Sequence, residues 1–245
     1  ASRNEKQPAA YFGVHVSFGA DGTATLGATD GTRFASQDIE WSSFDEQFGQ
    51  DPEWGTRQID PVLLPASALL EAADSFAVAE AVEMGMAGGV VALRTPERSL
   101  TMVMPAEVGK FPAGALPALW AYERPMAVTF RAKDMVLPLR RADQLKHAET
   151  EAITLAVSEG SIAVTAHGGE AAGAGGDTLD AEYEGEPFEI ILKSPNLHTA
   201  LATARGENVT LAFGAEARKG ALITDDADST WRHLIVPLRP VGGTK

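Results

Sequence analysis

The fold is decided by two segments that follow the same pattern: LPASALLEAADSF, from Leu64 to Phe76, and LKSPNLHTALATA, from Leu192 to Ala204. Each segment is followed by three apolar stretches, which end in MVMP at residues 102–105 and in LIVP at residues 234–237. The offset between the copies is 128 residues at the start (64 to 192) and 132 at the end (102 to 234). An internal repeat of this period predicts two copies of one domain.

A second pair of matching segments lies upstream of the first pair. GVHVSFGADGTATLGAT, residues 13–29, resembles ITLAVSEGSIAVTA, residues 153–166, because each has two alternating runs joined by a Gly-containing turn. In the first copy Val14, Val16 and Phe18 alternate with polar or small residues, which is typical of an antiparallel strand leading into a hairpin. Each copy is therefore predicted to be mostly strand, with a helix between strands.

The helix signals are strongest in the second copy. Ser194 is a candidate N-cap, Pro195 suits the first helical turn, and Gly206 provides the stop. In the first copy, the helical spacing of Leu69, Ala73 and Phe76 predicts one buried face.

A further helix is predicted from Arg131 towards Leu145, with Pro138 expected to kink or interrupt it. The connector between the copies, residues 112–125, is rich in Pro and Gly, which disfavours a regular element there.

Composition places the chain among globular proteins of the cytoplasm. Its 245 residues are 44% hydrophobic, yet no run approaches the roughly 20 apolar residues of a membrane span. The opening ASRNEKQP has no apolar core like that of a signal peptide. The absence of Cys excludes disulfides and Cys-ligated metals and leans towards a reducing compartment.

Charge is unevenly distributed along an acidic chain. The net charge is −14, of which residues 1–121 contribute −9 (7 basic, 16 acidic) and residues 122–245 contribute −5 (13 basic, 18 acidic). The window from Arg124 to Lys146 nevertheless has six basic residues and two acidic ones, a net charge of +4. Such a run is either a solvated helix face or a contact surface for a polyanion.

No catalytic motif is present. The five His residues lie in separate contexts, with neither HExxH nor GxSxG spacing, so no catalytic residue, metal site or cofactor is predicted. The Gly-rich stretch HGGEAAGAGGD, residues 167–177, lacks the Lys of a phosphate loop and reads as a flexible loop, with residues 168–176 expected to be poorly ordered and a strand following over residues 178–184.

Several segments in the right order resemble the bacterial sliding clamp, the beta subunit of DNA polymerase III, in its middle and C-terminal domains. They are ATDGTRF (residues 28–34), GKFP (109–112), FEIILKSPNLHTALATARGENVTLAF (188–213) and HLIVPLR (233–239). The resemblance covers essentially the whole chain. It implies an α+β fold of tandem clamp domains, residues 1–121 and 122–245, each with antiparallel sheets outside and helices on an inner face.

The resemblance also implies a non-enzymatic processivity factor that encircles double-stranded DNA without reading its sequence. The implied partners are the replicative polymerase, the clamp loader and other proteins that carry short apolar motifs. The residues expected to face DNA are basic and lie in the second copy: Arg131, Lys133, Arg140, Arg141, Lys146, Lys193 and Arg205.

A partner-peptide groove between the two domains is the second implied site. Its expected walls are apolar with a few polar handles, as a peptide anchor site requires. Its residues are Tyr11, Thr29, Gly31, Thr32, Arg33, Phe34, Pro112, Leu116, Pro117, Gly220, Leu234, Val236, Pro237, Leu238 and Arg239.

The chain departs from the family pattern at both ends. The family's first domain is absent, and Ala1 falls where the first helix of the middle domain should end, so the chain is expected to be a fragment or the visible part of a longer protein, monomeric or unable to close the ring-forming homo-oligomer of complete clamps. A short clamp of two-domain subunits is the other reading. Residues 240–245 extend beyond the usual terminus beside the predicted groove.

Two other classes of protein stay open at this point. One is a tandem β-rich adaptor that binds peptide or carbohydrate through Trp41, Trp54 and Trp120, unrelated to replication. The other is a hydrolase assembled from dispersed residues such as His167 and Asp177. The polar, aromatic insertion FDEQFGQDPEW, residues 44–54, has no assigned role.

Overall fold

The computed structural model describes residues 9–42, 60–104, 111–167, 174–214 and 219–238. The insertion at residues 44–54, most of the Gly-rich stretch, Arg239 and the C-terminal extension lie outside these ranges. Within the described ranges, no helix combines the length and apolarity that crossing a bilayer requires.

The chain divides into two compact units, Ala1–Ala113 and Gly114–Lys245. The first unit opens with a 3-10 turn at Ala9–Phe12 and contains seven strands and one α-helix among its described residues. Its elements are β1 (Gly13–Phe18), β2 (Thr23–Thr29), β3 (Arg33–Glu40), β4 (Val62–Pro65), α1 (Ala66–Ser75), β5 (Glu83–Ala87), β6 (Val90–Arg94) and β7 (Ser99–Val103).

Two antiparallel sheets form the first unit. Strands β4, β1, β2 and β3 pair in that order, and β5, β6 and β7 form the second sheet. Alternation puts Val16, Val91 and Met102 into a shared core with Phe76, at the end of α1. The helix buries Ala72 against this core and leaves Ala73 exposed. The prediction that Ala73 is buried is therefore wrong, since the neighbouring alanine takes that place.

The second unit has more helix than the first. A 3-10 turn (Ala113–Ala115) leads into it. Its elements are α2 (Leu116–Trp120), β8 (Met126–Arg131), α3 (Ala132–Asp143), β9 (Ala152–Ser158), β10 (Ser161–His167), β11 (Ala174–Asp180), β12 (Phe188–Lys193), α4 (Ser194–Thr203), β13 (Asn208–Phe213), β14 (Ala221–Asp225) and β15 (Arg232–Ile235).

Two four-stranded antiparallel sheets enclose the core of the second unit. One has the order β11, β10, β9, β12, and the other has the order β15, β14, β13, β8. The alternating residues Ile153, Leu155 and Val157 of β9 are buried in one core with Met135 and Leu139 of α3. The predicted mixed α+β fold with antiparallel sheets is therefore confirmed.

The internal repeat is visible in the strand pairing. In each unit three strands are followed by a strand that pairs back onto the first of them, a helix, and three more consecutive strands. The elements β8 and α3 of the second unit have no counterpart among the described residues of the first, where the 3-10 turn at Ala9–Phe12 precedes β1.

Two predictions about helices are corrected by the structure. Helix α3 runs without a break through Pro138, contrary to the predicted interruption. Proline cannot donate to the carbonyl four residues earlier, but it is buried beside Leu139, so packing of the apolar face outweighs the lost hydrogen bond. Ser194 is the first residue of α4 and makes no side-chain cap, because its hydroxyl donates instead to Asp143.

Two segments predicted to be irregular contain regular structure. Gly175 and Gly176 lie in β11, where they pair with Ala166 and Thr165, so only residues 168–173 of the predicted loop lie outside the described residues. The strand predicted over residues 178–184 ends at Asp180. In the connector, Pro117 lies in the first turn of α2. Backbone N–H groups of a first turn have no acceptor within the helix, so proline, which lacks this group, loses no hydrogen bond there.

Candidate partner-binding and nucleic-acid interfaces

The turn between β2 and β3 is organised by Asp30. One oxygen of its carboxylate accepts the N–H groups of Thr32 (2.9 Å) and Arg33 (3.1 Å), and the other accepts Arg33 Nε (2.9 Å). Burial opposes ionisation of Asp30, but the hydrogen bonds from Thr32 and Arg33 outweigh it and hold the pKa of this carboxyl below its ordinary value. The ionised carboxylate of Asp30 therefore stabilises this turn, although Asp30 is not among the predicted site residues.

Tyr11 and Gly31 form a close contact beside this turn. Gly31 has a φ of +88°, and a Cβ on it would lie 3.2 Å from Tyr11 Cε2. Thr29 is buried and donates its hydroxyl to the carbonyl of Arg33 at 2.7 Å, whereas Thr32 is exposed. The structure thus brings together the predicted residues of this turn within the first unit.

Phe111 anchors the end of the first unit. Its ring stacks on His15 with centroids 4.5 Å apart and lies 6.0 Å from the ring of Phe34. Burial lowers the pKa of His15 below its ordinary value, so this imidazole is neutral at pH 7. Phe34 is buried in this aromatic group, whereas Pro112, the residue after Phe111, is exposed.

The second unit holds the remaining predicted peptide contacts. The backbone of Gly220, with a φ of +74°, lies against Leu234, since a Cβ there would be 2.2 Å from Leu234 Cδ2. After β15, Val236 is 38% exposed and Pro237 is buried. Leu238 is half-buried and donates its N–H to the carbonyl of Ile191 at 2.8 Å.

The connector helix α2 contributes two further predicted residues. Leu116 is half-buried and Pro117 is exposed. Trp120, at the end of α2, lies under the guanidinium of Arg232, with 5.8 Å between Arg232 Cζ and the ring centroid. Helix α2 is therefore attached to the second unit through its last turn.

Arg124 is a residue of this region that the predicted site omits. Its guanidinium donates to the carbonyls of Leu119, Tyr122, Lys219 and Gly220. Burial lowers its pKa, opposed by the charge interaction with Tyr122. The sequence holds no signal for these contacts, because Lys219 and Gly220 follow Arg124 by 95 and 96 residues.

The basic residues predicted to face DNA cluster on and near α3. Three are engaged in ion pairs. Arg131 lies 3.3 Å from Glu207, and Arg141 pairs with Asp177 of β11. Lys146 pairs with Asp143 at 3.1 Å and with Glu151 at 3.8 Å, and only 18% of its side chain is exposed.

The other predicted cations carry no carboxylate partner among the described residues. Lys133 and Arg140 are exposed on α3, and Arg205 is exposed after α4, while Lys193 is half-buried at the end of β12. Lys133 also borders a shallow depression between α3 and α4, lined by Ala132, Lys133, Val136, Leu201, Gly206 and Glu207. The basic surface is therefore uneven, and Lys133, Arg140 and Arg205 are its exposed charges without a carboxylate partner among the described residues.

Asp143, at the end of α3, is the centre of a polar network in the second unit. It accepts hydrogen bonds from Ser194 and His198 of α4, and it pairs with Lys146. Burial opposes its ionisation, but these three partners outweigh burial and lower the pKa of Asp143. His198 and Ser194 bond to different oxygens of one carboxylate, not to each other, so this is a link between helices and not a nucleophile beside its base.

No group of three or more His, Cys, Asp or Glu side chains that could hold a metal ion occurs among the described residues. Asp177, offered as part of a dispersed hydrolytic site, is bound to Arg141. Asp225 accepts four backbone N–H groups, from Arg205, Gly206, Ala227 and Asp228, and these outweigh burial to lower its pKa. These carboxylates therefore support turns and helix contacts.

Bacterial sliding clamps are among the solved structures with the same fold. A Pseudomonas aeruginosa clamp with a bound ligand has a TM-score of 0.81 and 19% identity, covering 98% of this chain and 60% of that one. The C. crescentus beta clamp has a TM-score of 0.80 and 22% identity, covering 97% of this chain and 60% of that one. The chain thus has the sliding-clamp fold and spans about 60% of the length of the clamps it matches.

A comparison by sequence agrees with this fold. Residues 123–239 match the family model of the DNA polymerase III beta subunit, C-terminal domain. No curated protein is matched by sequence. The predicted resemblance to the bacterial sliding clamp is therefore confirmed, and the adaptor alternative finds no support in these comparisons.

Proposed function

We propose that the chain is part of a DNA sliding clamp, the processivity factor that encircles duplex DNA and tethers the replicative polymerase and other proteins. The observation that carries this proposal is the match of residues 123–239 to the C-terminal domain of the polymerase III beta subunit, within a chain whose fold matches clamps over 98% of its length. The whole protein would act in the cytoplasm as a ring-forming homo-oligomer, with the clamp loader among its partners.

The proposed DNA contact is the basic surface around α3. Lys133 and Arg140 are exposed there and carry no carboxylate partner among the described residues, so their charges are available to phosphates. Arg131, Arg141 and Lys146 would first have to leave their carboxylates, which lowers their net contribution. Such contacts are electrostatic and independent of base sequence.

The DNA proposal is tested by titrating a fluorescent duplex with the chain at several salt concentrations. We expect weak binding that is the same for two unrelated duplex sequences, and a slope of log K against log salt that becomes shallower by about 1 for each of Lys133→Glu and Arg140→Glu. Arg98→Glu, an exposed arginine of the first unit, is the control with the same change in net charge. Equal slopes for Arg140→Glu and Arg98→Glu would contradict the assignment.

The proposed peptide contacts are the predicted residues of the β2–β3 turn with Tyr11 in the first unit, and of α2, Gly220 and residues 234–238 in the second. In support, each group combines buried apolar side chains with exposed neighbours, as at Leu234 and Val236. One solved Pseudomonas aeruginosa clamp is bound to griselimycin, and the C. crescentus clamp has polyethylene glycol bound to a putative beta-motif tethering region.

The peptide proposal is tested by fluorescence anisotropy with a labelled peptide that ends in a short apolar motif of the polymerase-tail type. Leu238→Asp should reduce affinity by about tenfold or more, because it places a charge on an apolar anchor. Val103→Asp, which changes an exposed apolar residue of the first unit, is the matched control. Griselimycin is the competitor, and failure of the wild-type chain to bind either probe would refute the proposed peptide site.

A further inference from the structure

Arg124 uses its guanidinium in an unusual way for a half-buried arginine. Four carbonyl oxygens accept its hydrogen bonds: Gly220 from Nε at 3.1 Å, Tyr122 from Nη1 at 2.8 Å, and Leu119 and Lys219 from Nη2 at 3.0 and 2.8 Å. No carboxylate of the described residues is within ion-pair distance. The guanidinium therefore acts as a planar set of hydrogen-bond donors to backbone carbonyls, and it forms no salt bridge with a described residue.

The four carbonyls belong to two segments that are far apart in sequence. Leu119 and Tyr122 lie in and just after α2, whereas Lys219 and Gly220 lead into β14. The Tyr122 ring lies beside the guanidinium, 5.2 Å from Arg124 Cζ, and it also packs on the end of β13, where a Cβ on Gly214 would be 2.6 Å from Tyr122 Cε1. Arg124 thus joins α2 to the segment before β14, and Tyr122 joins it to the end of β13.

Each joined segment carries a proposed peptide contact. Helix α2 begins with Leu116 and Pro117, within one turn of the Leu119 carbonyl. On the other side, the Gly220 backbone packs on Leu234 Cδ2. The Arg124 guanidinium is consequently the group that hydrogen-bonds to the backbone of both segments, alongside the ring contacts of Tyr122 and Trp120.

We propose that Arg124 is a positioning residue of the peptide site, which holds α2 and the Gly220–Leu234 contact in one arrangement before any peptide binds. This inference rests on the proposed function, because it deepens the peptide site described above. Preorganisation of this kind increases affinity by removing the cost of ordering the site during binding.

The geometry makes the requirement specific for arginine. A lysine ammonium is a single point of charge on a flexible stem and cannot direct donors to four carbonyls in one plane. Arg124→Lys keeps the charge and loses the arrangement, whereas Arg124→Gln loses both. Both variants should therefore weaken peptide binding, and retention of charge should not restore it.

The first measurement is peptide affinity at a temperature where circular dichroism shows each variant to be folded. Arg124→Lys and Arg124→Gln should each raise the Kd of the labelled apolar peptide by about tenfold, since buried carbonyls are left without their donor. Arg94→Gln, which removes an arginine from an exposed ion pair in the first unit, should leave the Kd unchanged. Added guanidinium at millimolar concentration should partly restore binding to Arg124→Ala, because it can donate to the same carbonyls.

The second measurement concerns the free chain and does not depend on any peptide. Because the chain contains no cysteine, spin labels can be attached at Ala118→Cys and Lys219→Cys without a background signal, and the Lys219 carbonyl is retained. The distance distribution between the labels should be narrow with Arg124 present and broader in Arg124→Gln.

The outcomes separate this inference from the proposed function. Broadening together with weaker binding supports the inference. An unchanged distance distribution overturns it, whether or not the wild-type chain binds peptide. Broadening with no peptide or griselimycin binding by the wild-type chain means that the proposed peptide site has failed, and it overturns the role of Arg124 in binding as well.

Discussion

The carboxylate of Asp143 joins side chains from both long helices of the second unit. Ser194 and His198 reach it from α4, and Lys146 reaches it from the segment after α3. Each partner favours the ionised form, which is why the pKa of Asp143 lies below its ordinary value of 3.8 despite burial. A carboxylate of lowered pKa stabilises the folded state above its unfolded pKa, and this contribution is lost as the pH falls through the folded pKa.

We expect Asp143→Asn to lower the free energy of unfolding at neutral pH by about 1–3 kcal/mol, because hydrogen bonds to a charged acceptor are lost. The difference from the wild-type chain should shrink below pH 3.8, as the wild-type carboxyl becomes protonated. Urea unfolding at a series of pH values measures this difference in the free energy of unfolding. Glu159→Gln, an exposed carboxylate of the same unit, is the control, and a difference that does not vary with pH would argue against this account.

Gly31 is a second position where one residue decides a local conformation. Its φ of +88° is strained for a residue with a Cβ, and that Cβ would press on the Tyr11 ring at 3.2 Å. Gly31→Ala should therefore lower the free energy of unfolding by about 1–2 kcal/mol. Gly85→Ala is the matched control, since nothing lies within 4 Å of its Cβ position, and thermal unfolding of the two variants distinguishes them.

At the scale of elements, α3 is an amphipathic helix with buried apolar residues and exposed basic ones. Met135, Leu139 and Ala142 are fully buried, while Leu137 is 53% exposed between the basic residues. Pro138 alone would predict a break, and the sequence does not reveal how strongly the surrounding sheet residues hold the helix together. The extent of α3 is thus a tertiary effect, which local propensity cannot supply.

Leu139→Ala should lower the free energy of unfolding by about 2–5 kcal/mol, because it removes buried methyl groups and leaves a cavity. Leu137→Ala, the same chemical change two residues earlier, should change stability by no more than about 0.5 kcal/mol. Chemical denaturation of both variants tests the orientation of α3. Equal losses would mean that the helix is rotated relative to the core described here.

At the scale of the whole molecule, the sequence predicts what depends on periodicity and repetition. The two copies, the hairpins around residues 13–29 and the helix between strands all follow from apolar spacing, which is local information. The polar links escape prediction. Asp143 meets Ser194 51 residues later and Arg124 meets Gly220 96 residues later, and neither pair has a sequence pattern that distinguishes it from solvated surface.

The candidate surfaces divide in the same way. The apolar residues near Leu234 and the basic residues of α3 were predicted from the resemblance to the sliding clamp, and three of the basic residues are paired with carboxylates. Those pairings depend on which acidic residues the fold brings close. Glycine was the other source of error, since Gly175 and Gly176 read as a loop and lie in β11.

Strand β11 has a consequence for how the protein behaves in concentrated solution. It is the outer strand of its sheet and, among the described residues, pairs with β10 alone, and an edge strand of this kind can pair with a strand of another molecule. Asp177 and Asp180 place carboxylates along this strand. Charged side chains on an edge strand disfavour strand pairing between molecules and so oppose β-aggregation. Replacing both carboxylates, as Asp177→Asn and Asp180→Asn, should therefore promote self-association first along β11.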